Sequence, residues 1–492
     1  MQTPAPTSSG DGPASARIDA PVALPVLGGI LALAAALRIR GGWNDLWLDE
    51  IWSLELAREV RTPLDVFVRF HHEINHYLNT LWLWLAGDAA DTLLYRVPSL
   101  IAGIGALAIA ARIAWRRGPA AVYFTTVVVS FSYVLVLYAS EVRGYATLVF
   151  FSFSCFLLIG HYLRRDGWKV GVGFSFCAVL GLLSHLLFVS VLLSALTWSI
   201  CWSVWQLRER RLSLREAAAR IALCYGAPTL CLAALYVVDI RHVVVGGGGV
   251  SGSLIAGYGT ALGWALGAPT TAAAQLLGCI LAVAILDAGL RLVRRRDPGE
   301  ALFFLCVIVV FPVLLVIVRD TPIVYTRHFL LPIAFLLLLF GFVLADLWER
   351  GRLRRWAAAG LLGAYLVANA AHLRELFLHG RGQNGDAIRF MLERSAPGPI
   401  AIGADNDYRI ERVVAFFAAR LGASARIVYE PRGTWQGVGP QWLIVNRDSF
   451  ELPVSRGDEI HDEAGRRFAL VASFPAAPLA GLHWFLYQNR AR

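Results

Sequence analysis

Long apolar runs dominate the chain, separated by short polar connections. Runs near residues 21–39, 93–115, 119–138, 144–163, 168–184, 186–206, 217–238, 260–290, 300–318, 328–348 and 355–377 each approach the roughly 20 apolar residues needed to cross a bilayer. The pattern predicts about eleven transmembrane helices. Two stretches of the long first connection, 40–92, behave differently. Leu48 to Val60 alternates apolar and charged residues at helical spacing, as an interfacial helix does. Tyr77 to Gly87 is apolar but too short to span, so it is expected to lie in the interface or re-enter. After about residue 378 the chain turns more polar. Strand-like runs at Ile400–Gly403, Arg426–Tyr429, Trp442–Val445, Phe468–Phe474 and Trp484–Tyr487 surround a helix-like stretch from Arg409 to Leu421. That mixture predicts a small α/β domain outside the membrane. The expected organisation is a disordered cytoplasmic tail over 1–20, a transmembrane domain over 21–378 and an extracytoplasmic α/β domain over 379–492.

Composition agrees with the pattern. Hydrophobic residues make up 57% of the 492 positions and charged residues 16%, against about 45–50% and about 25% in soluble globules. A soluble enzyme or a nucleic-acid binder is excluded as a description of the whole chain. The net charge of +10 reads as Arg-rich cytoplasmic loops, not as a nucleic-acid surface. Alternate connections carry Arg112, Arg116 and Arg117; Arg164, Arg165 and Lys169; Arg208, Arg210, Arg211, Arg215 and Arg220; Arg291 and Arg294–Arg296; and Arg350, Arg352, Arg354 and Arg355. The loops between them carry only Arg143, Arg241, Arg319 and Arg327. The positive-inside rule then predicts an inner-membrane protein with a cytoplasmic N-terminus and an extracytoplasmic C-terminus. All seven cysteines fall inside apolar runs, so they read as small buried residues and not as a disulfide framework.

Two segments on the predicted outer face can carry chemistry. Asp49 and Glu50, within Trp47-Leu48-Asp49-Glu50-Ile51-Trp52, stand where the chain leaves the membrane, and a carboxylate there suits a general base. The competing reading is a pair of solvated acids opening an interfacial helix. Glu141 and Arg143, in Glu141-Val142-Arg143-Gly144-Tyr145-Ala146, share a short loop between two spans. An arginine at that depth is a clamp for a phosphate head group, or else a snorkelling side chain.

These landmarks resemble the GT-C membrane glycosyltransferases of the protein O-mannosyltransferase and lipid A aminoarabinose transferase type. The resemblance rests on Trp47-Leu48-Asp49-Glu50 after the first span, Asn75-His76-Tyr77-Leu78, the Glu141–Ala146 segment, Ser184-His185-Leu186, and Thr326-Arg327-His328-Phe329-Leu330-Leu331-Pro332 opening a late span. It covers about residues 20–350. One departure is His76-Tyr77-Leu78-Asn79-Thr80, where the family usually shows a His-Pro-Pro-Leu-Tyr-like run. The resemblance implies a GT-C fold and an inverting enzyme. Such an enzyme moves a hexosyl or pentosyl group from a polyprenyl-phosphate donor to a lipid, glycan or protein acceptor at the outer leaflet. It implies Asp49 as the base, with Glu50 beside it, and Arg143 on the donor phosphate. Arg327 is expected to converge on the same phosphate, with Glu141, Tyr145, His76 and His185 in support. No metal ligands are implied, although some members place a divalent ion near acids of the first external loop. A lipid or glycan transporter without catalysis is the alternative from another class.

His72-Glu73-Ile74-Asn75-His76 satisfies the HExxH pattern of zinc proteases, which needs a helix, a third ligand and a cleft. Asp405-Asn406-Asp407 resembles a metal-binding DxD, but its place between a strand and a helix predicts a turn with an N-cap. Gly246–Gly249 reads as a flexible linker.

Overall fold

The computed structural model describes residues 21–89, 91–165, 167–243, 254–319, 325–450 and 453–491. The expected tail over 1–20 and the glycine run 246–249 lie outside the described residues. The chain enters through α1 (Leu24–Gly41) and then builds three short helices, α2 (Leu48–Arg58), α3 (Asp65–Val68) and α4 (Tyr77–Ala86). A bundle follows: α5 (Thr92–Ala114), α6 (Pro119–Phe131), α7 (Tyr133–Ala139), α8 (Tyr145–Arg165), α9 (Trp168–Ser184), α10 (Val189–Arg208) and α11 (Leu214–Val238). It is completed by α12 (Leu254–Ala265), α13 (Ala272–Arg294), α14 (Pro298–Leu305), α15 (Phe311–Arg319), α16 (Leu330–Glu349) and α17 (Arg352–His379). Among the described residues, eight helices are long and apolar enough to cross a membrane, or nine if the bent pair α6–α7 is one span. Trp168–Ser184 and Pro298–Leu314 are apolar but shorter. The chain is a membrane protein.

One expected span is corrected. Residues 260–290 are not one helix but parts of α12 and α13, folded against each other. The sequence Gly267-Ala268-Pro269 stops α12, and Gly267 takes φ +79°, where a side chain would be strained. Gln275 closes the turn, its Nε2 donating to the carbonyls of Ala268 (3.0 Å) and Pro269 (2.9 Å). Gly263 and Gly278 let the two helices touch: a Cβ on Gly278 would lie 3.0 Å from the Gly263 Cα.

A second irregularity sits inside the bundle. Ser132 is extended between α6 and α7, and the two helices bend by 62°. Backbone groups freed inside a membrane bundle need partners from the protein, and three side chains supply them. Arg38 of α1, itself buried, donates to the carbonyls of Ser130 (3.2 Å) and Val129 (3.3 Å). Tyr365 donates to the Val128 carbonyl at 2.7 Å. Asn369 accepts from the Tyr133 N–H at 2.7 Å.

The connections gather at two opposite ends. The Arg-rich ones are tied by Arg117–Glu300 (2.6 Å) and Arg164–Asp297 (2.9 Å). The other end, called here the loop end, carries α2–α4 and the C-terminal elements. There α18 (Asn384–Arg394) and α19 (Asp407–Arg420) flank a six-stranded sheet of order β2-β1-β3-β6-β5-β4. Its strands are β1 (Ile400–Ala404), β2 (Ile427–Tyr429), β3 (Trp442–Asp448), β4 (Glu459–His461), β5 (Arg467–Phe474) and β6 (Leu482–Asn489). β1 runs parallel to β2 and β3, with α19 as the crossover, and the rest of the sheet is antiparallel. Asn406 caps α19, accepting from the Arg409 N–H, so the Asp-Asn-Asp run is a turn. The helical face of this sheet packs on α2: Leu48, Ile51 and Leu54 join Ile388, Val413 and Phe417 in one buried cluster.

Candidate active site at the loop end

α2 starts abruptly after Trp47, and Glu50 turns back to accept from the Trp47 N–H at 3.2 Å. Successive helix positions diverge by about 100°, so Glu50 enters the protein while Asp49 faces the mouth of the bundle. Arg143 Nη1 reaches Asp49 Oδ2 at 2.6 Å, and Arg327 Nη1 reaches the same oxygen at 3.0 Å. Two arginines from distant parts of the chain thus meet on one carboxylate. Arg143 follows the α7 terminus, and Arg327 lies in the single helical turn Thr326–Phe329 ahead of α16.

Gly144 explains how Arg143 is held. A Cβ there would lie 2.0 Å from the Ser184 carbonyl oxygen, a backbone atom that cannot step aside. Gly144→Ala is therefore expected to displace the 141–145 loop from α9. The expected result is a lower yield of folded protein and at least about tenfold loss of activity, since overpacking costs about 1–3 kcal/mol. Normal thermal stability and turnover of the variant would contradict this account.

Behind Asp49 lies a buried ionic layer. Glu50 is fully buried and accepts from Arg96 Nη2 at 2.8 Å and from the Val142 N–H at 2.7 Å. Burial alone would push its carboxyl upward, but Arg96 and Arg381 outweigh that and hold it below the usual range. Glu141 accepts from Trp47 Nε1 at 3.1 Å and stands 3.8 Å from Arg381 Nη1. Its carboxyl is raised, chiefly by burial. Arg381 itself donates to the Leu137 carbonyl at 2.7 Å. It ties the segment leading to the C-terminal sheet to both acids.

Beside the arginines, His76, His185 and Tyr145 form an aromatic group, with His76 and His185 centroids 4.6 Å apart and Tyr145 5.1 Å from His185. The Arg143 guanidinium lies 5.1 Å from the Tyr145 ring centre. Leu187 N–H donates to His185 Nδ1 at 3.1 Å, so a neutral His185 carries its proton on Nε2. His76 is held well below its usual value, chiefly by burial, and is neutral at pH 7. Its Nε2 is buried with no hydrogen-bond partner among the described residues.

The structure therefore brings Asp49, Arg143 and Arg327 into direct contact, sets Glu50 and Glu141 behind them, and places His76, His185 and Tyr145 alongside. Arg96 and Arg381 are parts of the site that sequence reasoning missed, and Trp47 entered it only as a landmark beside Asp49. An arginine at the fourth position of the apolar run 93–115 was the available signal for Arg96. The HExxH segment is not helical, since His72 pairs as a bridge and Glu73–Ile74 form a turn. His72 packs on Trp52 while His76 packs on His185. Among the described residues no group of three His, Cys, Asp or Glu side chains could hold a metal ion.

A bundle of membrane-length helices, short helices at one end and a small C-terminal sheet over them define the GT-C fold. Two solved structures of ArnT from Cupriavidus metallidurans share it. The apo state matches with a TM-score of 0.53 at 12% identity, covering 94% of this chain and 98% of that chain. ArnT bound to undecaprenyl phosphate matches with a TM-score of 0.51 at the same identity and coverage. No family model matches the sequence, and no curated protein does.

Proposed function

We propose that the chain is a polyprenyl-phosphate-dependent glycosyltransferase that moves a hexosyl or pentosyl group to an acceptor hydroxyl with inversion. The observation that carries this reading is the convergence of Arg143 and Arg327 on Asp49 at the loop end. It occurs in a fold shared with a protein solved with undecaprenyl phosphate. The donor is a phosphodiester with one negative charge, and its phosphate is the ligand two guanidinium groups are shaped to hold. Asp49 takes the proton of the acceptor hydroxyl as that oxygen bonds to the anomeric carbon. The carbon–oxygen bond to phosphate breaks, and its electron pair leaves on polyprenyl phosphate. The leaving group gains a charge, so the two arginines bind it more strongly in the transition state than in the ground state. Glu50 and Glu141 position α2 and the Arg143 loop. The arginine asymmetry of the loops supports an orientation in the inner membrane with the N-terminus cytoplasmic and this site outside.

The test is the exchange of arginine for lysine, which keeps charge but loses the paired donors. Arg143→Lys in nanodiscs should lower turnover by about tenfold or more while changing affinity for the polyprenyl-phosphate-linked sugar donor much less, and Arg327→Lys should do the same more mildly. Unchanged kinetics in both variants would assign the arginines to anchoring and remove them from the mechanism.

A further inference from the structure

Beside Asp49 the protein builds a second surface that the transfer chemistry does not use. Trp52 lies three residues after Asp49 on α2, hence on the same helical face. His72 from the first connection packs 4.8 Å from it, and Tyr408 from the first turn of α19 packs edge-on at 5.3 Å. Three distant segments thus contribute one aromatic corner. A corner serving only to pack α19 on α2 would bury its rings, yet Tyr408 remains 49% exposed. Its rim is charged and hydrogen-bonding: Arg412 lies 5.0 Å over Trp52 and pairs with Glu55 at 2.6 Å, both partly exposed. Trp52, one helical turn on from Asp49, sets the corner beside the proposed base.

We propose that Trp52, His72 and Tyr408 form a stacking platform for a sugar ring of the acceptor, which makes the acceptor a glycan. This rests on the transfer reading above and names its substrate class. A sugar ring presents polarised C–H groups on its faces and hydroxyls around its edge. The faces suit the negative face of an aromatic ring, and the hydroxyls suit Arg412 and Glu55. The lipid phosphate is left to the arginines. A stacked ring would present a hydroxyl to Asp49 at fixed height.

The experiment is saturation-transfer NMR on the full-length protein in nanodiscs. The probes are trisaccharides of glucose, mannose and arabinofuranose, without any lipid donor. Wild-type protein should saturate ring C–H protons of at least one series. Tyr408→Ala and Trp52→Ala should weaken that saccharide about tenfold, and Tyr408→Phe, which keeps the ring, should retain it. Undecaprenyl phosphate affinity, measured separately, should be unaffected by Tyr408→Ala. Saccharide binding by a wild-type protein that fails to bind undecaprenyl phosphate would support the platform while overturning the transfer reading. No transfer to any trisaccharide, or undiminished transfer in both alanine variants, would overturn the platform. Displacement of the trisaccharide by a polyprenyl-phosphate-linked sugar, but not by undecaprenyl phosphate, would give the corner to the donor's sugar and overturn its acceptor role.

Discussion

Asp49→Asn should reduce glycosyl transfer by about three orders of magnitude, the range a positioned general base supplies, without unfolding the protein. Asparagine keeps the shape and can still accept from Arg143 Nη1, now 2.6 Å away, but it cannot take a proton. Removing the carboxylate also frees two guanidinium groups from their negative partner. Undecaprenyl phosphate should therefore bind the variant at least as tightly as wild type. This pairing of lost turnover with retained or improved lipid binding separates a catalytic role from a structural one, which would weaken both. Near-normal turnover of purified Asp49→Asn would remove Asp49 as the base.

Arg96→Met should be the most destabilising single change at the site. Arg96 is fully buried and spends its donors on Glu50, the carbonyls of Gly42, Asn44 and Asp45, and the Asn44 side chain. Removing it leaves a fully buried carboxylate with the Trp47 and Val142 N–H groups and, among the described residues, Arg381 as its one cationic neighbour, at 3.8 Å. Breaking a buried pair from one side costs about 3–5 kcal/mol, whereas replacing both partners by apolar groups is often close to neutral. The double variant Arg96→Met/Glu50→Leu should accordingly recover part of the thermal stability lost in Arg96→Met. Equal losses in the single and double variants would mean that the backbone contacts of Arg96, not the ion pair, hold the loop. The pair also sets a pH dependence. Glu50 is depressed when folded, so its contribution is full above the unfolded carboxyl value of about 4.3 and fades as pH falls through the folded value.

Much of this arrangement was legible in the sequence because polar residues are conspicuous among apolar runs. Asp49, Arg143 and Arg327 stood out as charges at span ends, and the structure brings them within hydrogen-bonding distance. The strands of the C-terminal sheet were also visible, except the three-residue edge strand Glu459–His461, too short to show alternation. What was hidden had another obvious explanation. Arg38 and Arg96 sit near the ends of apolar runs, where an arginine reads as snorkelling to the interface. Arg381 lies between two glycines, with nothing nearby to suggest that it would be buried between two acids. The α12–α13 turn was concealed because Gly267-Ala268-Pro269 is short and apolar, so it continued the hydrophobic run while ending the helix. HExxH carried little weight, since its spacing has meaning only on a helix, and here it spans a turn.

The bend at Ser132 bears on how the protein is made. Arg38 belongs to the first described helix, but the carbonyls it serves arrive with Val129 and Ser130, two long hydrophobic segments later. In the interval its guanidinium must snorkel to the interface, because an arginine held at the bilayer centre costs about 2.5–3.5 kcal/mol. The first helix is thus a poor free-standing anchor and a better co-passenger. Its final placement waits until the segment through Ala139 is synthesised, and the loop that follows at once carries Glu141 and Arg143 to the site. Placement of α1 and assembly of the Glu141–Arg143 loop are in this way coupled at a single arginine. Chains truncated between residues 45 and 85, which hold α1 alone among the described membrane-length helices, should be extracted from the membrane by alkaline carbonate more readily than chains ending after residue 165, and equal resistance would contradict this coupling.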